Sequence, residues 1–414
     1  MSKIGALKAE LFDNVQFIYE LALAKLELEA LGASFKVTNS LREFELLTVK
    51  NEDELVRRLA YFKKINGKIT DYSRIVKKNV TRSVNQYLTH WIYPYKGKFH
   101  PQMIRALINI IKLEPGDTVL DPFIGSGTTA VEAQLLGINC IGIDISPLCV
   151  FQSRVKVDSI FVLDKIKSLE SEAIEAFSRS LQGNMSSNFS SIHGYDSFLE
   201  TIGDERVRSF YLIAKLIAVS DAARRRRKIY DSFVKNLRQM IKSVELYRNV
   251  VEELKLKLGS VKIEKADCRN LPLDDESVDG IITSPPYSIA LDYVKNDAHA
   301  LEALGYDLEK IRKNFIGVRG RGSERIRLYN EDMKKSLKEM HRVLKPGKYC
   351  VVVVGNATYR GKEIKTVEFL IKYCEKIGFK LVKNIDKIIY GLYNVIQKEN
   401  ILIFEKYKGR QVID

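Results

Sequence analysis

Residues 283–287 read Thr-Ser-Pro-Pro-Tyr and follow the apolar run Gly280-Ile281-Ile282. Two consecutive prolines fix φ near about −65° and remove two backbone donors. The carbonyls around Ser284 and Pro285 are then free to accept from a ligand, and Tyr287 adds an aromatic face at the same place. The combination suits a flat base with an exocyclic amino group. Alone, the segment also reads as a proline-rich turn at a strand end. Upstream, Thr118-Val119-Leu120-Asp121-Pro122-Phe123-Ile124-Gly125-Ser126-Gly127-Thr128-Thr129 is an apolar strand running into a glycine-bearing turn, with helix formers from Ala130 onward. Glycine lets backbone approach a ligand closely. A second strand, Cys140 to Ile143, ends in Asp144, an acidic residue placed to accept from ribose hydroxyls. Residues 125–130 do not fit G-x-G-x-x-G, and Gly127-Thr128-Thr129 lacks the lysine of a Walker loop. What remains is a nucleoside site without a phosphate cradle.

The Asp-Pro-Phe-x-Gly-Ser-Gly-Thr-Thr stretch followed by Ser-Pro-Pro-Tyr resembles the amino-methyltransferases that modify N4 of cytosine or N6 of adenine, using S-adenosylmethionine (SAM). The resemblance covers roughly residues 90–150 and 260–405. It implies that Lys98, Phe99 and His100, within Lys96 to Gln102, help hold the methionine end of SAM. It implies that Asp121, Phe123, Gly125, Gly127 and Thr128 form the donor loop. Asp144 and Ile145 would face the ribose, and Asp267 with Cys268 the adenine amino group. Ser284, Pro285, Pro286 and Tyr287 would be the catalytic set, and the leading serine is linked in the family with cytosine N4. His100, Asp292 and Tyr293 are further candidates for the pocket.

The chemistry follows from the acceptor. An exocyclic amine is a poor nucleophile because its lone pair is delocalised into the ring. Acceptors at Ser284 and the Pro285 carbonyl can localise that pair, and direct transfer then depends on proximity and charge placement. Methylation at cytosine C5 needs a cysteine nucleophile, typically in a Pro-Cys pair, and the chain has none. The base must leave a duplex or come from a single strand.

The chain has 414 residues, a formal net charge of +15 and 45% hydrophobic residues. That length allows two or three domains, and the charge favours a polyanionic partner, most simply nucleic acid. The five cysteines (Cys140, Cys149, Cys268, Cys350, Cys374) form no C-x-x-C pair. They suit a reducing cytoplasm and argue against structural zinc. Residues 1–12 lack an apolar core followed by a cleavage site, and no apolar stretch is long enough to span a bilayer. A cytoplasmic location and no membrane partner are expected. Scarce Gln with abundant Lys, Ile and Glu points to a hot environment.

The expected fold is α/β: a Rossmann-like SAM-dependent methyltransferase sheet with a helical insertion and a small amino-terminal α+β domain. Residues 1–75 alternate strand, helix, strands, helix, the pattern of a ferredoxin-like module and a candidate RNA-binding unit. Gly32 is placed to end its first helix, and Asn51 to cap the second, whose buried face would hold Leu55, Leu59 and Phe62. Residues 76–100 form a basic, aromatic link (Lys77, Lys78, Arg82, Tyr87, Trp91, Tyr93, Tyr95) that could bind a single strand or pack between domains. Residues 101–150 and 260–414 carry the catalytic sheet. Residues 151–259 are the helical insertion, with a loop at Gly183–Asn188 and the run Arg224–Lys228 inside a helix as a solvated face or phosphate contact. Ser288 to Gly305 reads as one helix, and Gly317–Ser323 as a flexible basic loop. Gly125, Asp144, Asp267 and Ser284 all fall at the carboxyl ends of expected strands, where such sheets bind ligands.

Two acceptors stand side by side: RNA (ribosomal or transfer RNA), ranked first for the fused module and the insertion, and DNA, for a modification enzyme whose recognition domain would be 151–259. A SAM-binding protein without activity would have no use for an intact Ser-Pro-Pro-Tyr, and a small-molecule methyltransferase would not need this charge.

Overall fold

The computed structural model describes residues 7–38, 41–81, 83, 85–95, 97–182, 193–287, 291–390 and 396–407. The Gly183–Asn188 loop, Arg82, Lys96 and Ser288 lie outside the described residues.

Alternation at Leu7, Ala9 and Leu11 gives β1 (Leu7–Leu11), with Ala9 and Leu11 buried. The helix Ile18–Ala30 follows, and Gly32 takes up the left-handed φ of +78° that ends it. Then come β2 (Ala33–Val37), β3 (Glu43–Val49), the helix Glu52–Arg58, β4 (Phe62–Ile65) and β5 (Lys68–Ile69). The sheet runs β2-β3-β1-β4-β5, antiparallel throughout. Its first four strands and two helices have the ferredoxin-like arrangement. Asn51 caps the second helix through Glu54 N at 3.2 Å. That helix stops at Arg58, so Leu59 and Phe62 do not belong to its face; Phe62 opens β4.

The main sheet contains β6 (Thr118–Asp121), β7 (Asn139–Asp144), β8 (Val261–Lys265), β9 (Val278–Thr283), β10 (Leu344–Gly355), β13 (Phe379–Tyr390) and β14 (Ile396–Lys406); a small ribbon of β11 (Ala357–Tyr359) and β12 (Lys362–Ile364) stands apart. The order is β13-β14-β10-β9-β6-β7-β8. From β10 to β8 the neighbours are parallel, and β14 runs antiparallel between β10 and β13. The carboxyl ends of β6, β7, β8 and β9 therefore share one edge. Val351–Val354 of β10 are fully buried, as a central parallel strand requires.

Module and sheet are joined by a buried polar seam. Arg105 of the helix Pro101–Ile110 donates to Arg58 O at 3.1 Å and Arg57 O at 3.0 Å, and reaches Glu132 at 3.5 Å. Glu132 also accepts from Tyr87 at 2.5 Å and meets His90 Nε2 at 2.8 Å. Arg58 donates to Asn109 and Glu114, and Glu27 accepts from the amides of Ala60 and Tyr61. Burial pushes the His90 imidazole down to about 4, so at neutral pH the counter-charge to Glu132 is Arg105. Removing one member of a buried ion pair strands the other and costs about 3–5 kcal/mol. Arg105→Ala should lose that much in a urea melt. Arg105→Lys should not restore it, because an ammonium cannot span the same fork of acceptors.

This seam settles the fate of the link: Tyr87 and Tyr93 are buried, Trp91 donates to Ser243 at 2.6 Å, and Tyr95 faces the cavity described below. Its aromatics are packing residues rather than a stacking platform. Within the insertion, the helices Glu205–Arg225 and Ile229–Glu253 pair with each other. The arginine run lies at their junction rather than inside one helix, with Arg226 in the left-handed region. Arg225 and Arg227 pair with Asp221 at 3.0 and 3.2 Å, so that charge is partly neutralised at home. From Tyr293 to Ala303 the chain makes two short helices, Tyr293–Asn296 and Ala298–Ala303, instead of one. The expected flexible loop at 317–323 is pinned. Val318 is buried, Arg319 pairs with the buried Asp332 at 2.5 Å, and the helix Gly322–Val343 starts there. No described helix is long and apolar enough to cross a membrane.

Candidate active site

Two loops meet at the shared strand edge. The first leaves β6 at Asp121 and enters the helix Thr128–Leu135. The second leaves β9 at Thr283 and makes the double-proline corner. Asp121 ties them together: Thr129 Oγ1 donates to Oδ2 and Thr283 Oγ1 to Oδ1, both at 2.7 Å, while Phe123 N donates to Oδ1 at 3.2 Å. Asp121 is fully buried, and burial raises its carboxyl to about 6.

Between the loops lies a cavity of about 400 Å³, within the ~300–1,000 Å³ of small-molecule sites. Its walls include Lys98, Phe99, Phe123, Gly125, Thr128, Asp144, Ile145, Asp267 and Cys268, together with Ser284, Pro285, Pro286 and Tyr287 of the double-proline corner. Tyr293 also lines it. His100, Asp121, Gly127 and Asp292 do not. Asp121 lies beneath the floor as the clamp just described. Gly127, at φ +78°, backs onto the helix Pro147–Asp158, where an added Cβ would sit 2.8 Å from Ser153 Oγ. Its glycine serves packing and the left-handed turn, not ligand approach. His100 begins the helix Pro101–Ile110, and burial pushes its imidazole to about 4. Asp292 caps the helix Tyr293–Asn296 and pairs with Arg312 at 2.9 Å.

The first group carries graded charge. Asp144 accepts from Gly125 N at 3.0 Å and Ser146 N at 2.8 Å, and Cys149 and the Ile145 amide also favour its charged form. Burial raises it to about 6, so it is mostly ionised at neutral pH. Asp267 accepts from Arg269 through Nε at 2.9 Å and Nη2 at 2.6 Å. Burial works to raise Asp267, but Arg269 prevails and the net shift is downward. Lys98 is mostly buried, hydrogen-bonds the carbonyl of His90, and contacts no carboxylate among the described residues; burial lowers it to about 7. Cys268 meets Ser336 at 3.2 Å, and burial pushes its thiol far up, so it is no nucleophile.

Beside the double-proline corner, sequence reasoning missed Lys387 of β13 and Glu399 of β14, which also line the cavity. Tyr287 donates its hydroxyl to Glu399, and Lys387 to the same carboxylate at 2.6 Å. Burial, reinforced by Glu399, holds the Tyr287 phenol well above its usual range. A pair of opposite charges facing each other across a closing hairpin would have revealed them, had the register been known.

A parallel-type sheet of this order, with its ligand cavity outside the carboxyl ends of the strands, is the Rossmann-like sheet of the SAM-dependent methyltransferases. SAM is the cofactor. The residues fit it: the buried Lys98, which contacts no carboxylate among the described residues, and the acidic Asp144 both line the cavity. A family model described as DNA methylase matches residues 33–152 and 278–410, more than half of the chain, and the chain belongs to that family. It is 28% identical over 282 residues to the type II methyltransferase M.BsoBI of Geobacillus stearothermophilus, covering 55% of each chain. It is 25% identical over 386 residues to the type II methyltransferase M.MvaI of Kocuria varians, covering 73% of this chain and 84% of that one. A shorter stretch of 88 residues, 20% of this chain and 25% of the other, is 33% identical to the tRNA (guanine(10)-N2)-dimethyltransferase of Methanocaldococcus jannaschii. The chain thus matches about half the length of the Geobacillus enzyme.

Proposed function

We propose that the chain transfers a methyl group from SAM to the exocyclic amine of a base in DNA, with cytosine N4 as the target. The observation that carries this reading is the single cavity with the donor loop on one wall and Ser284-Pro285-Pro286-Tyr287 on the other. When bound, SAM supplies a methyl group on a positive sulfonium. Ser284 Oγ and the Pro285 carbonyl accept the amine hydrogens and aim its lone pair across the cavity. Tyr287 covers the base, and Asp144, Asp267 and Lys98 hold the donor. The apolar walls from Phe123, Ile145 and Phe315 exclude water, which strengthens every polar contact inside.

DNA replaces RNA at the head of the ranking. The family model and the two long type II relatives favour it, whereas the tRNA-enzyme match is confined to a short stretch. The link offers buried aromatics instead of a single-strand platform. The serine of the corner favours cytosine over adenine through the family resemblance.

Labelled SAM, DNA or RNA from a strain lacking the gene, and nucleoside mass spectrometry test this directly. Label is expected in N4-methylcytosine of DNA. Label in N6-methyladenine would replace the target base while keeping the amine chemistry, and label confined to RNA would overturn the DNA reading.

A further inference from the structure

The wall behind Tyr287 is built from the carboxy-terminal hairpin. Lys387 and Glu399 are direct partners across the antiparallel β13–β14 pair. Glu399 Oε2 accepts from Lys387 Nζ at 2.6 Å, and Oε1 accepts from the Tyr287 hydroxyl. Both side chains are largely shielded from solvent. On the other side of β14, Glu399 is in register with Gly355 of β10. A Cβ at Gly355 would come within 2.9 Å of Lys398 O and 3.5 Å of Glu399 Cγ, so a side chain there would crowd the carboxylate. The helix Ile18–Ala30 of the amino-terminal module packs against β13 and supports it from outside. Tyr287, Lys387 and Glu399 also border a second, wider groove that opens over Asn356, Asp386 and Asn400. These three residues are thus the partition between the donor cavity and an open surface channel.

A tyrosine hydroxyl held by an ionised carboxylate makes a charge-assisted bond, stronger and more directional than one to a neutral acceptor. The carboxylate is itself fixed by a cross-strand lysine, so the ring is restrained through its far end. The residue itself lines the cavity. The corner before Tyr287 has prolines at two positions, which carry no polar group to hold the phenol. Without the hairpin contact, rotation about χ1 and χ2 would carry the ring out of the plane a base needs.

The geometry points to Glu399 and Lys387 as positioning residues that set the plane of Tyr287 for the acceptor base at the mouth of the groove. This rests on the amine-transfer reading above, and it makes the hairpin, far from both motifs in sequence, part of the acceptor site. Both act through the Tyr287 ring rather than on the methyl group.

The test separates positioning from chemistry. With 3-fluorotyrosine at position 287, one sharp ¹⁹F resonance is expected in the protein alone, and a shifted or exchange-broadened one in Glu399→Gln and in Lys387→Met. Donor affinity by calorimetry should stay within about twofold in both variants. For methyl transfer, a ring displaced by about 1 Å costs on the order of 100-fold. Glu399→Ala and Tyr287→Phe should each lower kcat by about 10–100-fold, with the milder Glu399→Gln between them and wild type. The double variant Glu399→Ala/Tyr287→Phe should lose no more than the worse single one, since both cut the same restraint. An unchanged ¹⁹F resonance in both hairpin variants, or losses that multiply in the double variant, would overturn the inference. A resonance that moves in a protein that methylates no DNA would sink the acceptor reading and leave the positioning role standing.

Discussion

Lys98→Met should weaken SAM binding by about 2–5 kcal/mol, the usual cost of truncating one partner of a desolvated charge pair, and should also change how binding depends on pH. The lysine is lowered to about 7 by burial alone. Below that pH the free protein already carries the cation that the methionine carboxylate needs, so affinity is at its plateau. Above it, binding must take up a proton, and affinity should fall about tenfold per pH unit until the higher pKa of the bound state is reached. Asp144, raised to about 6, sets a shallower acid limb, because a protonated carboxyl still offers a hydrogen bond to a ribose hydroxyl. The optimum for donor binding is therefore expected between about pH 6 and 7. Calorimetry at pH 8 in buffers of different ionisation enthalpy should record proton uptake in wild type and none in Lys98→Met. Uptake that persists in the variant would assign the titration to another group. Wild-type affinity that is flat from pH 7 to 9 would remove the carboxylate from the Lys98 site.

Local sequence carried much of this site and stopped at its far wall. Strand ends were legible because apolar runs stop at Asp121, Asp144 and Thr283, and in a parallel sheet such ends converge without knowledge of any contact. That is why Gly125, Asp144, Asp267 and Ser284, scattered over 160 positions, come together around one cavity. Motif membership, by contrast, did not tell a residue that faces the ligand from one that holds the loop. Asp121 and Gly127 sit within the same nine-residue stretch as Phe123 and Gly125, yet one turns under the sheet edge and the other packs on a helix. Lys387 and Glu399 were out of reach, because their juxtaposition depends on hairpin register and on the placement of β14 between β10 and β13. The ion-pair partners of the charge runs were out of reach for a related reason. The counter-ions of Arg225, Arg227 and Arg319 are Asp221 and Asp332, and the Arg319 pair is closed by a turn into the helix Gly322–Val343 that composition does not announce. In the amino-terminal module, helical spacing ran past Arg58 because Leu59 and Phe62 keep the apolar period while the chain has already turned toward β4.

Asp121→Ala should cost more than any single residue in the cavity wall, since one carboxylate holds both loops. Its removal leaves the buried hydroxyls of Thr129 and Thr283 and the amide of Phe123 without their acceptor. Each unsatisfied buried group costs about 1–3 kcal/mol, so a stability loss of at least about 3 kcal/mol is expected by urea titration. The donor loop and the double-proline corner are freed together, and misplacing two reacting partners by about 1 Å costs on the order of 100-fold in transfer. Donor affinity and kcat should fall in the same variant, unlike Tyr287→Phe, which should spare the donor. Asp121→Asn is the control: its carbonyl keeps one threonine, and the second hydroxyl can turn to accept from the amide, so most of the stability should return. The charge supplies the pH signature. The carboxyl is raised in the folded state to about 6 from an unfolded value near 4. The folded protein therefore binds the extra proton between those limits, and the stabilising contribution present below pH 4 is lost as pH rises to 6. Above pH 6 the cost of the buried charge is constant. Stability measured from pH 4 to 7 should accordingly favour Asp121→Asn progressively over wild type up to about pH 6 and then run parallel to it. If Asp121→Ala instead keeps wild-type kcat while losing only donor affinity, the carboxylate serves the donor loop alone, and the corner at Ser284 is held by something other than Thr283.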